Sequence, residues 1–124
     1  MTGNAFLRTS VLFLTLGMIA GIVMGIREDF TFAPAHAHLN LVGGVVMFLA
    51  GLFYNSRPST PKGLIATHYW VALLGVLLIV PGIAGSTIQQ KWAVPVVGIG
   101  SVLTLVQMLI FAYAVWRGDK KAAV

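Results

Sequence analysis

Four uncharged runs of apolar residues account for most of this 124-residue chain, and they leave few folds open to it. Crossing a hydrocarbon core of roughly 30 Å takes ~20 apolar residues of helix, and each run reaches about that length. Inside lipid a backbone must satisfy its own N–H and C=O groups, which restricts such runs to helices. The expected spans are about residues 10–26, 35–54, 64–83 and 92–116. With 58% hydrophobic residues, only 9% charged ones and a mean hydropathy of +0.92, no soluble catalytic domain is expected. The chain reads as all-α, a single transmembrane domain over residues 1–124, built as a four-helix integral membrane bundle.

The formal charge of +5 does not point to nucleic acid, because the basic residues stand at segment ends and form no patch. They set orientation instead. Arg8, Arg57, Lys62, Arg117, Lys120 and Lys121 fall on one side; Arg27 and Lys91 fall on the other, beside Glu28 and Asp29. This asymmetry places both termini in the cytoplasm, in what is expected to be a bacterial inner membrane. There is no cysteine, which excludes disulfides, iron–sulfur clusters, thiolate ligands and covalent c-type haem.

Arg8, the apolar run after it and Ala33-Pro34-Ala35 together have the outline of a secretory signal, but the run is long for one and reads better as a membrane helix. Gly17, Gly21 and Gly25 recur every four residues and share one helix face, a stripe suited to close helix approach, either between protomers or within one. Pro34 suits the first turn of the second helix. Residues 55–63, with two prolines and two positive charges, form a loop. Pro81 lies inside the third helix, where a kink is expected. Trp92, Tyr113 and Trp116 sit where interfacial aromatics belong, and Tyr54 and Tyr69 read as belt residues of the same kind.

The chemistry rests on three histidines. His36 and His38 open the second helix, and an ionisable group near the lipid boundary is a functional-site candidate. His68 opens the third, antiparallel helix, so at 1.5 Å per residue it should lie ~20 Å or more from the pair. That separation argues against a three-histidine zinc or copper site. Residues i and i+2 project about 200° apart on a helix, so the pair suits two centres, or one centre and one hydrogen-bonded neighbour. Haem iron takes one axial imidazole per helix and tolerates apolar surroundings. A second axial histidine would have to come from another protomer, which predicts a homo-oligomer. His68 reads as a hydrogen-bonded packing residue. Asn40 and Gln107 are either polar glue between helices or groups that orient a ligand or a proton path.

The order of these features resembles the last three transmembrane helices of subunit I of haem–copper oxidases. In that family a helix opens with His-x-His and runs through Gly to an aromatic end. Here His36-Ala37-His38 leads through Gly44 to Ala50-Gly51-Leu52-Phe53-Tyr54. A helix starting His-Phe-Trp follows there; here it is His68-Tyr69-Trp70, with Gly75, Pro81 and Gly85 in similar order. The family's last helix is matched by Ile99-Gly100-Ser101 and by Leu109 through Arg117. The resemblance implies that His38 corresponds to an axial ligand of the low-spin haem, His36 to the proximal ligand of the high-spin haem, and that the counterpart of His68 is no ligand. It also implies an outward-facing His-x-His end. The family's copper-binding histidines, its cross-linked tyrosine and the second low-spin ligand lie on earlier helices with no counterpart here, so oxygen reduction by this chain alone is not expected. Because the family subunit is built from four-helix arcs, a ring of three copies, or a dimer sharing haem, is implied by analogy.

The expectation is therefore a haem b protein of the membrane with iron ligands His36 and His38, and with Asn40 and His68 as secondary candidates. Its role would be electron transfer, or binding of a small gas or quinone, with a redox partner and lipid as its other contacts. Two alternatives stand beside it. One is copper binding or delivery by His36 and His38, with Met24 or Met47, which needs an irregular first turn after Pro34. The other is a cofactor-free structural subunit of a respiratory complex.

Overall fold

A computed structural model describes residues 1–122, with side chains through Gly118; Lys120 and Lys121, counted above for orientation, lie outside the described side chains. Four helices follow one another: α1 (Gly3–Arg27), α2 (Ala33–Ser56), α3 (Lys62–Thr87) and α4 (Ala93–Ala122). All four are long and apolar enough to cross a membrane. The chain is an all-α integral membrane protein with no strand among the described residues.

The helices extend beyond the apolar runs, most of all at α1, which begins at Gly3 and not near Ser10. Thr2 caps it by accepting the Asn4 N–H at 3.3 Å, a side-chain cap that fixes a helix start whatever the charge of the next turn. The added turns are anchored from within. Phe6 is fully buried against Tyr54, His68 and Tyr69, and Asn55 Nδ2–H donates to Asn4 Oδ1 at 2.8 Å.

The architecture is two helical hairpins, α1 on α2 and α3 on α4, joined mainly by packing of α2 on α3. Both hairpins close in the same way. Glu28 (φ 51°) and Gln89 (φ 58°) adopt the left-handed conformation, and the next N–H reaches back to Met24 O or Gly85 O, at 3.2 and 2.8 Å. Glycine normally fills that position, because a Cβ there costs about 1–2 kcal/mol. Glu28→Gly and Gln89→Gly are each expected to stabilise the protein by about 0.5–1 kcal/mol after glycine's greater freedom in the unfolded chain is subtracted. Thermal unfolding in detergent would show it as a higher midpoint; a lower one would contradict the strain. After Glu28, Asp29 accepts from the Thr31 hydroxyl and N–H. These two bonds, followed by the nearby Arg27 charge, hold its carboxyl below the ordinary aspartate value. The turn is therefore supported above that ordinary value and loses the support as pH falls through the lowered one.

Between Leu39 and Val46 the second helix widens into a π segment, with α-helix before it (Ala33–His38) and after it (Met47–Ser56). Gly43 and Gly44 lie at its centre, buried. A Cβ at Gly43 would stand 2.9 Å from the Phe13 ring and 3.1 Å from Val76, and one at Gly44 would strike Leu14. The paired glycines thus let the wider helix seat against α1 and α3. The core sits towards the end bearing Arg8, Arg57 and Lys62, around Phe6, Met47, Ala50, Tyr54, Ile65 and Val76. Val11, Leu12, Leu16, Ile19 and Ile22 on α1, and Ile99, Val102, Leu105 and Leu109 on α4, face outward as lipid-contacting surface.

Candidate functional site

His36 and His38 lie within the first two turns of α2, in the regular α-helical part that starts with Pro34 in its first turn. The irregular turn that would swing both imidazoles onto one ion is absent, so the two rings leave the helix on different sides.

His38 is partly exposed. Its Nδ1 is 2.8 Å from the carbonyl oxygen of Pro34, one turn back. A carbonyl only accepts, so Nδ1 carries the proton and Nε2 holds the free lone pair. Fixing an imidazole by one nitrogen and leaving the other free is how proteins orient histidines that ligate metals. No partner occupies Nε2 among the described residues.

His36 is arranged differently. Asn40, one turn on, approaches its Nε2 through Nδ2 at 3.3 Å, so the amide donates and the imidazole accepts. His36 Nδ1 and Asn40 Oδ1 are then buried with no partner. Both residues press on α1 at its glycine stripe. A Cβ at Gly21 would come within 3.1 Å of His36 Cε1, and one at Gly17 would overlap the Asn40 amide oxygen. Two of the three stripe glycines therefore serve packing inside the protomer, while Gly25 faces open space. Beside His36 lies an apolar cavity of about 330 Å³, walled by Ala20, Val23 and Met24 of α1, Phe32 and Leu39, and Val80 of α3. It is within the size range of small-molecule sites.

His68 belongs to the other end of the bundle. Its ring is fully buried. Nε2–H donates to Gln107 Oε1 at 2.9 Å, which leaves Nδ1 to accept the Tyr54 hydroxyl proton at 2.7 Å. Phe6 and Phe111 flank the ring, with centroids 4.8 and 5.4 Å away. Tyr54 stands about five turns along α2 from His36, ~25 Å at 1.5 Å per residue. The separation expected between His68 and the histidine pair is therefore present, and among the described residues no three His, Cys, Asp or Glu side chains could hold one metal ion.

Two residues read from sequence take other places. Tyr54 is not a belt residue: it is 2% exposed and ties α2 to α3. Asn40 bonds within its own helix, whereas Gln107 does bond between helices. The signal for Tyr54 was available in its level: the short loop after α2 returns the chain so that residues near the end of α2 face those near the start of α3. Trp92, Tyr113 and Trp116 are exposed, as interfacial aromatics should be. No protein-family model, curated protein or solved structure matches the chain.

Proposed function

We propose that this is a haem b-binding integral membrane protein in which His38 is an axial iron ligand, acting in electron transfer or in binding a small redox-active molecule. The observation that carries the reading is the partly exposed His38 ring, tied through Nδ1–H to Pro34 with its Nε2 unpartnered among the described residues. A ring held by Nδ1 with Nε2 unengaged is the donor chemistry an axial ligand needs. At His36 the residues fit the group on condition that the Asn40 amide leaves Nε2; its unpartnered Nδ1 marks a ring whose polar needs the protomer does not meet.

Bound haem would supply a one-electron iron couple at the membrane boundary. The chain's own contribution is to fix the His38 tautomer, to make the imidazole a better donor through the Pro34 carbonyl, and to keep the surroundings apolar. Because His36 and His38 leave the helix on different sides and His68 is far off, a second axial histidine comes from another copy in this reading, giving a dimer or a trimer. The ordered resemblance to the last helices of haem–copper oxidase subunit I supports the same ligand. Copper held jointly by His36 and His38 is disfavoured by the regular helix through both.

The test is an optical spectrum of protein purified from haem-replete cells, oxidised against dithionite-reduced, with and without carbon monoxide. A Soret band with reducible b-type bands is expected. A colourless preparation would overturn the reading and leave the structural-subunit alternative, and copper without iron on metal analysis would select the copper one.

A further inference from the structure

The link between Ser56 and Lys62 joins two helices that are each long enough to cross the membrane, so it stands at the boundary between hydrocarbon and water. A pocket of about 140 Å³ lies there, lined by Met1 and Thr2 ahead of α1, by Tyr54 and Ile65 of the core, and by Arg57 and Lys62. At ~30 Å³ for each water it holds roughly four or five of them, well short of the ~300 Å³ at which sites for whole small molecules begin. It has room for one compact group.

The charge on the wall says which group. Arg57 and Lys62 both line the pocket and no carboxylate does, among the described residues; Glu28 and Asp29 follow the far end of α1. Arg57 is held in place, with its guanidinium carbon 5.5 Å from the Phe53 ring centroid and its Nη1–H donating to Gly118 O at 3.2 Å. That bond uses one of five N–H donors and leaves the charge unpaired. Lys62 is exposed and opens α3, whose first turn carries no acidic residue and no side-chain cap that would compete for it. Two like charges on one small cavity repel each other, and an anion between them removes the repulsion.

Among compact anions the phosphodiester is the one every phospholipid brings to this boundary, and basic pockets between membrane helices receive such head groups. A zwitterionic lipid also brings an ammonium, for which the pocket holds no acid. A phosphatidylglycerol head group brings none. We propose that this pocket binds the phosphate of an anionic phospholipid, with Arg57 and Lys62 as its counter-charges. The site lies at the opposite end of α2 from His38 and stands or falls independently of haem.

Native mass spectrometry of the full chain in detergent, titrated with phosphatidylglycerol or with phosphatidylethanolamine, counts bound lipids and gives their affinities. One phosphatidylglycerol per protomer is expected to bind more tightly than any phosphatidylethanolamine. Lys62→Gln should weaken it by about fivefold, the worth of one cation at a lipid surface. Arg57→Gln should weaken it as well, but it also removes the bond to Gly118, so Lys62→Gln is the deciding variant. Arg8→Gln takes away a cation near the same end that does not line the pocket, and should leave the affinity as it was. Equal affinity for the two lipids overturns the proposal, and so does wild-type affinity in Lys62→Gln. An equal loss in Arg8→Gln overturns it by tracing the attraction to general surface charge. Displacement of the lipid by inorganic phosphate, at an ionic strength matched with chloride, overturns it by assigning the pocket to a soluble oxyanion.

Discussion

Replacing His38 by alanine is expected to abolish bound haem while leaving the four helices as they are. The His38 ring is partly exposed and makes one hydrogen bond, to a carbonyl of its own helix, so removing it orphans no buried donor and opens no core cavity. Its structural cost should stay within about 1 kcal/mol, the range of a single hydrogen bond. If His38 is the axial ligand proposed above, its loss has no such ceiling for bound haem, since His36 leaves the helix on a different side and His68 lies at the other end of the bundle. The expected result is a Soret band in the wild type and none in His38→Ala, at equal yield and helicity. If His36 takes the proximal role that the resemblance implies, with the Asn40 amide moved off its Nε2, His36→Ala is expected to change spin state or carbon monoxide access more than total haem. Haem retained at the wild-type level in His38→Ala would remove this residue from the site.

The second large effect belongs to His68 and is one of stability. His68→Ala leaves the Tyr54 hydroxyl and Gln107 Oε1 without their shared partner in a fully buried place. It also leaves a hole between Phe6 and Phe111. Hydrogen bonds in membrane proteins average about 0.6 kcal/mol, so two lost bonds account for roughly 1 kcal/mol. The cavity left by deleting a large buried side chain adds about 2–3 kcal/mol. Together a loss of about 3–4 kcal/mol is expected, against about 1 kcal/mol for Tyr54→Phe, which keeps the ring and loses one bond. Reversible unfolding in mixed micelles or bicelles would measure both. A His68→Ala cost under about 1 kcal/mol would mean that Tyr54–His68–Gln107 does not hold α2, α3 and α4 together.

These two outcomes separate roles that the sequence presents alike, as histidines near the start of a membrane helix. His36 and His38 were legible as a candidate site because two imidazoles in an apolar run are conspicuous. The distance to His68 was legible too, since helix rise and antiparallel order fix it. Which nitrogen of His38 is free was not, because the proton is placed by a contact to Pro34 O that depends on the side-chain rotamer. Neither was the fate of the glycine stripe. Spacing put Gly17, Gly21 and Gly25 on one face, but only docking of α2 shows that the first two receive Asn40 and His36 while the third receives nothing.

The sequence by itself determined the class of structure, since uncharged runs of this length can satisfy their backbones in lipid only as helices. It also determined the approximate spans and the separation of His68 from the pair. The tertiary structure alone decided the π widening at Leu39–Val46, the burial of Tyr54 and the pocket that Arg57 and Lys62 share. The reason is physical. Hydropathy reports whether a segment prefers lipid to water, and all four segments do; which faces then meet is settled by shape and a few hydrogen bonds, which leave no trace in an apolar average.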